Sequence, residues 1–406
     1  MVWLYVVLRF QPFELVLRLP GFVSSVVYPG LGVAVILLTP NDRVRRVPIA
    51  LALVALSAWL ALSLLWTEDP FFTQFLVRSE LLPLIVLSLI VGTLSARRAV
   101  ATLIGIVLIL LAWSLVSSLA MSASRSAVLD DGEAQVGFRG TFGHKNQFGI
   151  FAVYGLCVLL PFVRSKARWA VIGVCLFAIV STRSATVAGG LLGVLFVWVW
   201  MAAIESQRSP RERQFLLVVS MASAIAGLMI VLGLLPTLLG LYDKDLTFSG
   251  RTTIWSESLV TVSEQPLQGY GFGGVWLDQS DPLTADLRHR IGFQAAHAHN
   301  GAIEVLLEVG VVGLVLVVLL LAQVTTLSAG LLRHGHTARY GQWGLLTMLA
   351  LVLMSLAEPL FAGPHLGLIV IVWIVLTRVR NDERTASARP VVARSGDRLS
   401  RGTSER

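Results

Sequence analysis

The sequence predicts an all-α fold: a polytopic membrane helix bundle of about 11–12 transmembrane helices, with a partly helical outer loop. Three observations carry this. Only 14% of the 406 residues are charged while 55% are hydrophobic, and the mean hydropathy is +0.77. Soluble domains carry about 25% charged residues. Apolar runs near the roughly twenty residues that cross ~30 Å of hydrocarbon recur along the chain. The connections between them alternate between basic clusters and polar, mixed-charge segments. A lipid-facing sheet would need period-two alternation in a closed barrel, and runs such as VVGLVLVVLLLA have none.

Taken in order, residues 1–20 contain Arg9, Pro12, Glu14 and Arg18 and are expected to form an interfacial helix or an imperfect twelfth span. The bundle proper begins with apolar runs at 21–38, 48–66, 75–94 and 99–120. It continues at 147–163, 168–181, 185–204 and 214–236, so that 21–236 forms its first part with an outer loop at 121–146. A large polar loop occupies 237–308. The last spans, 309–329, 342–357 and 365–377, lie within 309–377, and a basic tail follows from 378 to 406 that reads as disordered from Asn381.

Basic clusters at Arg43 to Arg46, Arg97-Arg98, Arg164 to Arg168, Arg208 to Arg213, Arg333 to Arg339 and the tail are assigned to the cytoplasmic side by the positive-inside rule. The remaining connections then face outward: Thr67-Glu68-Asp69, 121–146, the turn at Arg183, 237–308 and Glu358 to His365. The charge of +8 is accounted for by this orientation signal, so no nucleic-acid partner is expected. Cys157 and Cys175 lie in apolar runs and read as small core residues. No small-residue cleavage site follows a basic region and apolar core at the N-terminus, so no removable signal peptide is expected.

The chemistry gathers in the outward segments. Residues 137–149 hold four glycines with Arg139, His144, Lys145 and Asn146 among them, just before a span. Glycines permit close backbone approach, and the helix start offers amides to an anion; the alternative is a flexible turn with interfacial basic residues. Arg183 lies within a few residues of hydrocarbon on both sides, where it needs water, a carboxylate or an anionic ligand, unless it snorkels to headgroups. Ser249 to Trp255 opens an amphipathic helix ending before Pro266, with Ser249 or Thr252 as cap and Arg251 near its anion-favouring end. Arg251 could instead pair with Glu257 or another acid of the loop. The stretch from Gln265 to Gly274, including Tyr270, is a turn-rich loop able to fold over a substrate.

His297-Ala298-His299-Asn300 precedes Glu304 and Glu308. Imidazole suits proton transfer near neutral pH. Two histidines also raise the question of a metal, with Asp278, Asp281 or Asp286 completing it. The favoured reading has one histidine acting alone, positioned by Asn300 or Glu304, with no metal and no cofactor. Glu358 and His365 are weaker candidates. Several outward-facing arginines, a lysine and histidines beside lipid point to phosphate on a membrane-embedded donor as the natural anion.

With these residues in view, the chain resembles the bacterial O-antigen ligase and O-antigen polymerase superfamily over about residues 50–376. The likeness rests on Gly143-His144-Lys145-Asn146, on Ser181-x-Arg183, and on Gly250-Arg251 with Trp255. It extends to Pro266-Leu267-x-Gly269-Tyr270-Gly271-x-Gly273, and to His299-Asn300 with Gly310 following. The resemblance implies a metal-independent, inverting glycosyltransferase of the cell inner membrane, its active site facing the periplasm or cell exterior. Its donor would be an undecaprenyl-diphosphate-linked oligosaccharide and its acceptor a saccharide or lipid-linked saccharide. Membrane lipids and envelope polysaccharide assembly proteins are its expected surroundings. On this likeness Arg183 and Arg251 bind the diphosphate and His299 acts on the acceptor hydroxyl. Arg139, His144, Lys145, Asn146, Trp255, Tyr270, Asn300 and Glu304 contact substrate. The poorly formed first span departs from the family pattern. The rival class is a transporter or flippase of lipid-linked saccharides, which would expose its polar groups to both sides in turn. A non-catalytic scaffold is the third reading.

Overall fold

The computed structural model describes residues 34, 37, 47–120, 127–130, 133–136, 138–142, 144–163, 166–206, 250–276, 281–361 and 364–388. Nearly all of the expected span at 21–38, and all of 1–20, of the expected span at 214–236 and of the tail beyond 388, lie outside the described residues. Each of the other expected spans is helical. They are α1 (Leu51–Leu62, extended by a 3-10 turn at Ser63–Leu65), α2 (Pro70–Thr93), α3 (Ala96–Ala120), α4 (Lys145–Phe162), α5 (Ala167–Ser181) and α6 (Ala185–Ser206). After the large loop, whose helices are α7 (Arg251–Glu264) and α8 (Pro282–Ile291), come α9 (Gly301–Leu331), α10 (Ala338–Ser355) and α11 (Pro364–Ala388). Among the described residues α2, α3, α4, α6 and α9 are long and apolar enough to cross a membrane, and α1 and α5 are shorter apolar helices.

Burial follows helix composition. In α4 every residue from Phe148 to Pro161 is buried, so this helix, apolar on all sides, runs through the middle of the bundle. Peripheral helices instead turn large apolar groups outward, including Ile109 and Trp113 on α3, Phe177 and Val180 on α5, Leu192 and Phe196 on α6, and Val315 and Val318 on α9. Such a surface is stable against hydrocarbon and not against water.

Among the described residues, bonds between connections join members of the same set, as the charge pattern requires. At the basic end, Arg378 on α11 donates to the carbonyls of Leu94 and Gly92, Gln342 bonds Glu205, and His334 pairs with Glu383 at 3.0 Å. At the polar-loop end, Phe138 N–H donates to Ser181, Trp66 to the Gln268 carbonyl, and Asn146 to Glu358.

Two expectations need correction. The tail read as disordered from Asn381 is helical to Ala388, because side chains of this last stretch are tied to the bundle through Glu383. The outer loop 121–146 contains a short antiparallel hairpin, Ala127–Asp130 with Glu133–Val136, where the regular elements among the other described residues are helices. The Asp131-Gly132 dipeptide between these strands is a strong hairpin signal that the hydropathy reading passed over.

The break in α9 organises the polar-loop end. Gly310 adopts φ 66° and ψ −169°, a region open essentially to glycine alone, and divides the helix in two. The interrupted backbone is taken up by the loop that follows α7. Val311 N–H donates to Pro266, Tyr270 N–H to Leu307 and Gly271 N–H to Glu308. The Glu308 carboxylate accepts from Gly273 N–H at 3.1 Å, and the Trp59 indole of α1 donates to the Val309 carbonyl at 2.9 Å. Removing that last donor by Trp59→Phe leaves a carbonyl unpaired in a bundle core, and is expected to cost about 1–3 kcal/mol. Thermal unfolding in detergent would show it as a lowered midpoint.

Candidate active site

The large loop carries its own small core, in which Ile254, Val262, Tyr270, Trp276, Leu287, Ile291, Ala298 and Leu307 pack together. Arg290 ties α8 to α7 through Glu257 and Thr261, and Arg288 holds the carbonyls of Trp276 and Ala295. Glu257 is thereby engaged by Arg290, and the described partner of Arg251 is Glu358. On this platform the 295–300 segment is pinned from both sides. The Trp255 indole donates to the Ala298 carbonyl at 3.0 Å, and the Glu304 carboxylate accepts from Ala298 N–H at 2.7 Å. Asn300 caps α9, its side-chain oxygen accepting from Ala302 and Ile303, and its amide reaches the Leu356 carbonyl. Asn300 and Glu304 therefore hold the backbone around His299 rather than its ring. Tyr270 is buried, its hydroxyl on Glu264 and the Thr261 carbonyl, which makes it a strut of the loop rather than a substrate contact.

The segment before α4 is not a flexible turn. Phe138 and Phe142 pack on Phe148, Phe142 also meets Phe151, and Gly140 at φ 59° abuts Ser114. Arg139 lies half-buried in this knot. His144 begins α4 with its Nδ1 accepting from Asn146 N–H. Lys145 is the first residue of the helix. Gly250, at φ 82°, takes the N-cap position of α7 and Thr252 lies inside the helix, so Thr252 does not fill the cap expected of it; Ser249 lies outside the described residues.

What comes together is a cationic and imidazole-rich cluster around one carboxylate. Glu358, buried in the α10–α11 connection, accepts a 2.6 Å hydrogen bond from the Asn146 amide and lies 3.7 Å from the Arg251 guanidinium. The rings of His297 and His299 are 3.9 Å apart, and His297 Nδ1 accepts from His299 N–H. Burial, then the neighbouring His297, Arg251 and His144, push the His299 imidazole down to about 3 from its ordinary 6.5. Its ring is thereby neutral across the physiological range. Arg251 itself is lowered by desolvation, an effect opposed by Glu358.

Three non-glycine residues among those described have left-handed backbones: Arg183 at φ 52°, Trp276 at φ 81° and His299 at φ 51°. Strain of this kind concentrates at functional positions. Arg183 lies exposed in a tight turn whose Ser181 carbonyl accepts from Phe138, while Thr182 packs near Gly149 of α4. The turn thus sits beside the segment that carries Arg139 to Asn146. Among the described residues, no hydrogen bond or ion pair joins the Arg183 side chain to Arg251 or His299.

One coordinating atom from each of His297, His299 and Glu358 lies within 4.8 Å of the others. Within this set His297 Nδ1 accepts from a backbone amide and one Glu358 oxygen faces Asn146 and Arg251. Asp281 caps α8 and Asp286 pairs with Arg290, so neither completes a metal site; Asp278 lies outside the described residues. Glu358 is the residue that sequence reasoning undervalued. Its signal was a lone carboxylate between apolar neighbours, Leu356-Ala357-Glu358-Pro359-Leu360, where a charge needs a partner.

Fold and site together define a polytopic membrane protein with a half-buried cluster of arginine, histidine and carboxylate at one end. Residues 168–318 match the family model described as O-Antigen ligase (Wzy_C). The chain is also 25% identical over 315 residues to the exopolysaccharide production protein ExoQ of Rhizobium meliloti (strain 1021), covering 74% of this chain and 70% of that protein. The chain is thus similar, over residues 168–318, to the O-antigen ligase family and, over a longer stretch, to an exopolysaccharide production protein.

Proposed function

We propose that this chain is a glycosyltransferase of the polysaccharide polymerase or O-antigen ligase type. It would move a glycan from undecaprenyl diphosphate to a saccharide hydroxyl at the outer face of the inner membrane. The observation that carries the reading is the meeting of three separated sequence motifs around Glu358: Asn146, Arg251, and the His297–His299 pair. Arg251 grips the donor diphosphate, and its charge stabilises the leaving group as the glycosidic bond breaks. Arg183, Arg139 and Lys145 supply further positive charge at the same end. His299, neutral and held in place by its pinned backbone, takes the acceptor proton while the hydroxyl oxygen attacks the anomeric carbon, with inversion. No metal is required in this scheme.

The test uses purified protein, an undecaprenyl-diphosphate oligosaccharide and a saccharide acceptor. Release of undecaprenyl diphosphate with formation of a longer glycan supports the reading. Arg251→Ala is expected to reduce that release by about 10²–10³-fold, as for loss of a group aimed at developing charge. Movement of intact donor across vesicles without bond cleavage would replace the enzyme reading with a flippase.

A further inference from the structure

Glu358 has a position that donor binding and base catalysis alone do not explain. A buried carboxylate is costly unless paired, and this one is placed between two groups with different tasks. Its hydrogen bond is to Asn146 at 2.6 Å, whereas Arg251 stands 3.7 Å away, beyond hydrogen-bonding range. Arg251 can therefore leave without breaking the bond that anchors the carboxylate. On the other side, nitrogens of His297 and His299 lie within 4.8 Å of a Glu358 oxygen.

We propose that Glu358 is a positioning residue that exchanges partners during the reaction, facing Arg251 in the empty site and His299 once a diphosphate has taken Arg251. The inference rests on the glycosyltransferase reading and adds a regulated base to it. Without donor, the carboxylate balances the Arg251 charge. A diphosphate anion competes for the guanidinium and leaves the carboxylate, still held by Asn146, to face the imidazole. The acceptor O–H bond then breaks with its proton passing to a ring nitrogen of His299. The oxygen bonds the anomeric carbon, and the anomeric carbon–oxygen bond breaks with its electron pair leaving on the diphosphate. Glu358 stabilises the imidazolium so formed. Full basicity thus develops only with donor in place, which protects the empty site from idle proton transfer.

The charged or titratable groups that face His299 are His297 from its own segment, Arg251 from α7 and His144 at the start of α4, all three lowering its basicity, and Glu358 from the α10–α11 connection, within 4.8 Å. Removing the one negative charge among them lowers the basicity of the imidazole. The test is Glu358→Gln, whose amide oxygen keeps the acceptor for Asn146, assayed for transfer across pH with binding of undecaprenyl diphosphate measured separately. The expected result is unchanged or tighter binding, a kcat lower by about 10–100-fold, and an acidic limb of the pH–rate profile moved to lower pH. Glu358→Asp, which retains the charge, should keep the wild-type acidic limb even if its rate is reduced. Equal thermal midpoints for the variants exclude misfolding as the cause. Weakened diphosphate binding with an unmoved acidic limb would overturn the exchange and leave Glu358 as a simple holder of Arg251. A wild-type protein that transfers no glycan would instead remove the underlying activity, so the two failures are distinct.

Discussion

His299→Ala is expected to lower glycan transfer by roughly 10²–10⁴-fold, the range for loss of a positioned general base, while leaving donor binding close to wild type. The separation follows from geometry. On the proposed mechanism the diphosphate is held by Arg251, whose neighbour is Glu358, whereas the backbone of His299 is fixed through Ala298 by Trp255 and Glu304. Truncating the ring removes the base without dismantling the grip. The positive φ at this position adds strain for any side chain, so alanine does not increase it.

The pH behaviour follows from the same ring. Its pKa is depressed to about 3 by burial and by His297, Arg251 and His144, so folding excludes a proton that the unfolded chain binds below 6.5. Stability from this group is complete above 6.5 and falls as pH drops toward 3. Without donor the His299 ring stays neutral throughout that window, and on the proposed mechanism kcat/KM should not fall with the ordinary histidine titration. A sharp acidic limb at 6.5 that disappears in His299→Ala would contradict the burial argument. Retention of full transfer by the alanine variant would remove His299 from the chemistry.

Gly310→Ala should cost at least about 4 kcal/mol, among the largest effects of any single substitution. A Cβ there would stand 2.2 Å from the Leu267 carbonyl oxygen and 2.5 Å from Gln268 N, both backbone atoms with no room to yield. The φ of 66° with ψ −169° adds strain of about 1–3 kcal/mol. Because Val311, Leu307 and Glu308 bond the 266–271 loop across this break, the loop that carries the site would detach from α9. Gly330→Ala in the same helix is the control: its Cβ meets nothing within 4 Å, and removing glycine from a helix gains about 0.5–1 kcal/mol. Equal unfolding midpoints for the two variants would show that the break is not a fixed feature of the fold.

The helical, membrane-spanning class was legible because water and lipid impose it residue by residue. A run such as Val309 to Ala329 declares its solvent wherever it sits in the chain, and basic clusters declare the side on which a connection lies. The glycine-rich motifs were visible for a related reason, since a position that tolerates no Cβ leaves its mark at that position. Their purpose was hidden: Gly269, Gly271 and Gly310 are a docking seam between a loop and a broken helix, formed by backbone hydrogen bonds that no side-chain pattern encodes.

Arg251 and His299 stood out as single residues, but nothing local joined them to Glu358, which meets Asn146 across 212 positions of chain. The family likeness makes Tyr270 and Trp255 substrate contacts, whereas packing and hydrogen bonds engage them as struts of the loop. Sequence alone therefore determined what each segment must be dissolved in and which residue types were available for chemistry. Tertiary structure decided which charges neutralise one another, because pairing in a low-dielectric site depends on separation in space, which separation along the chain does not reveal.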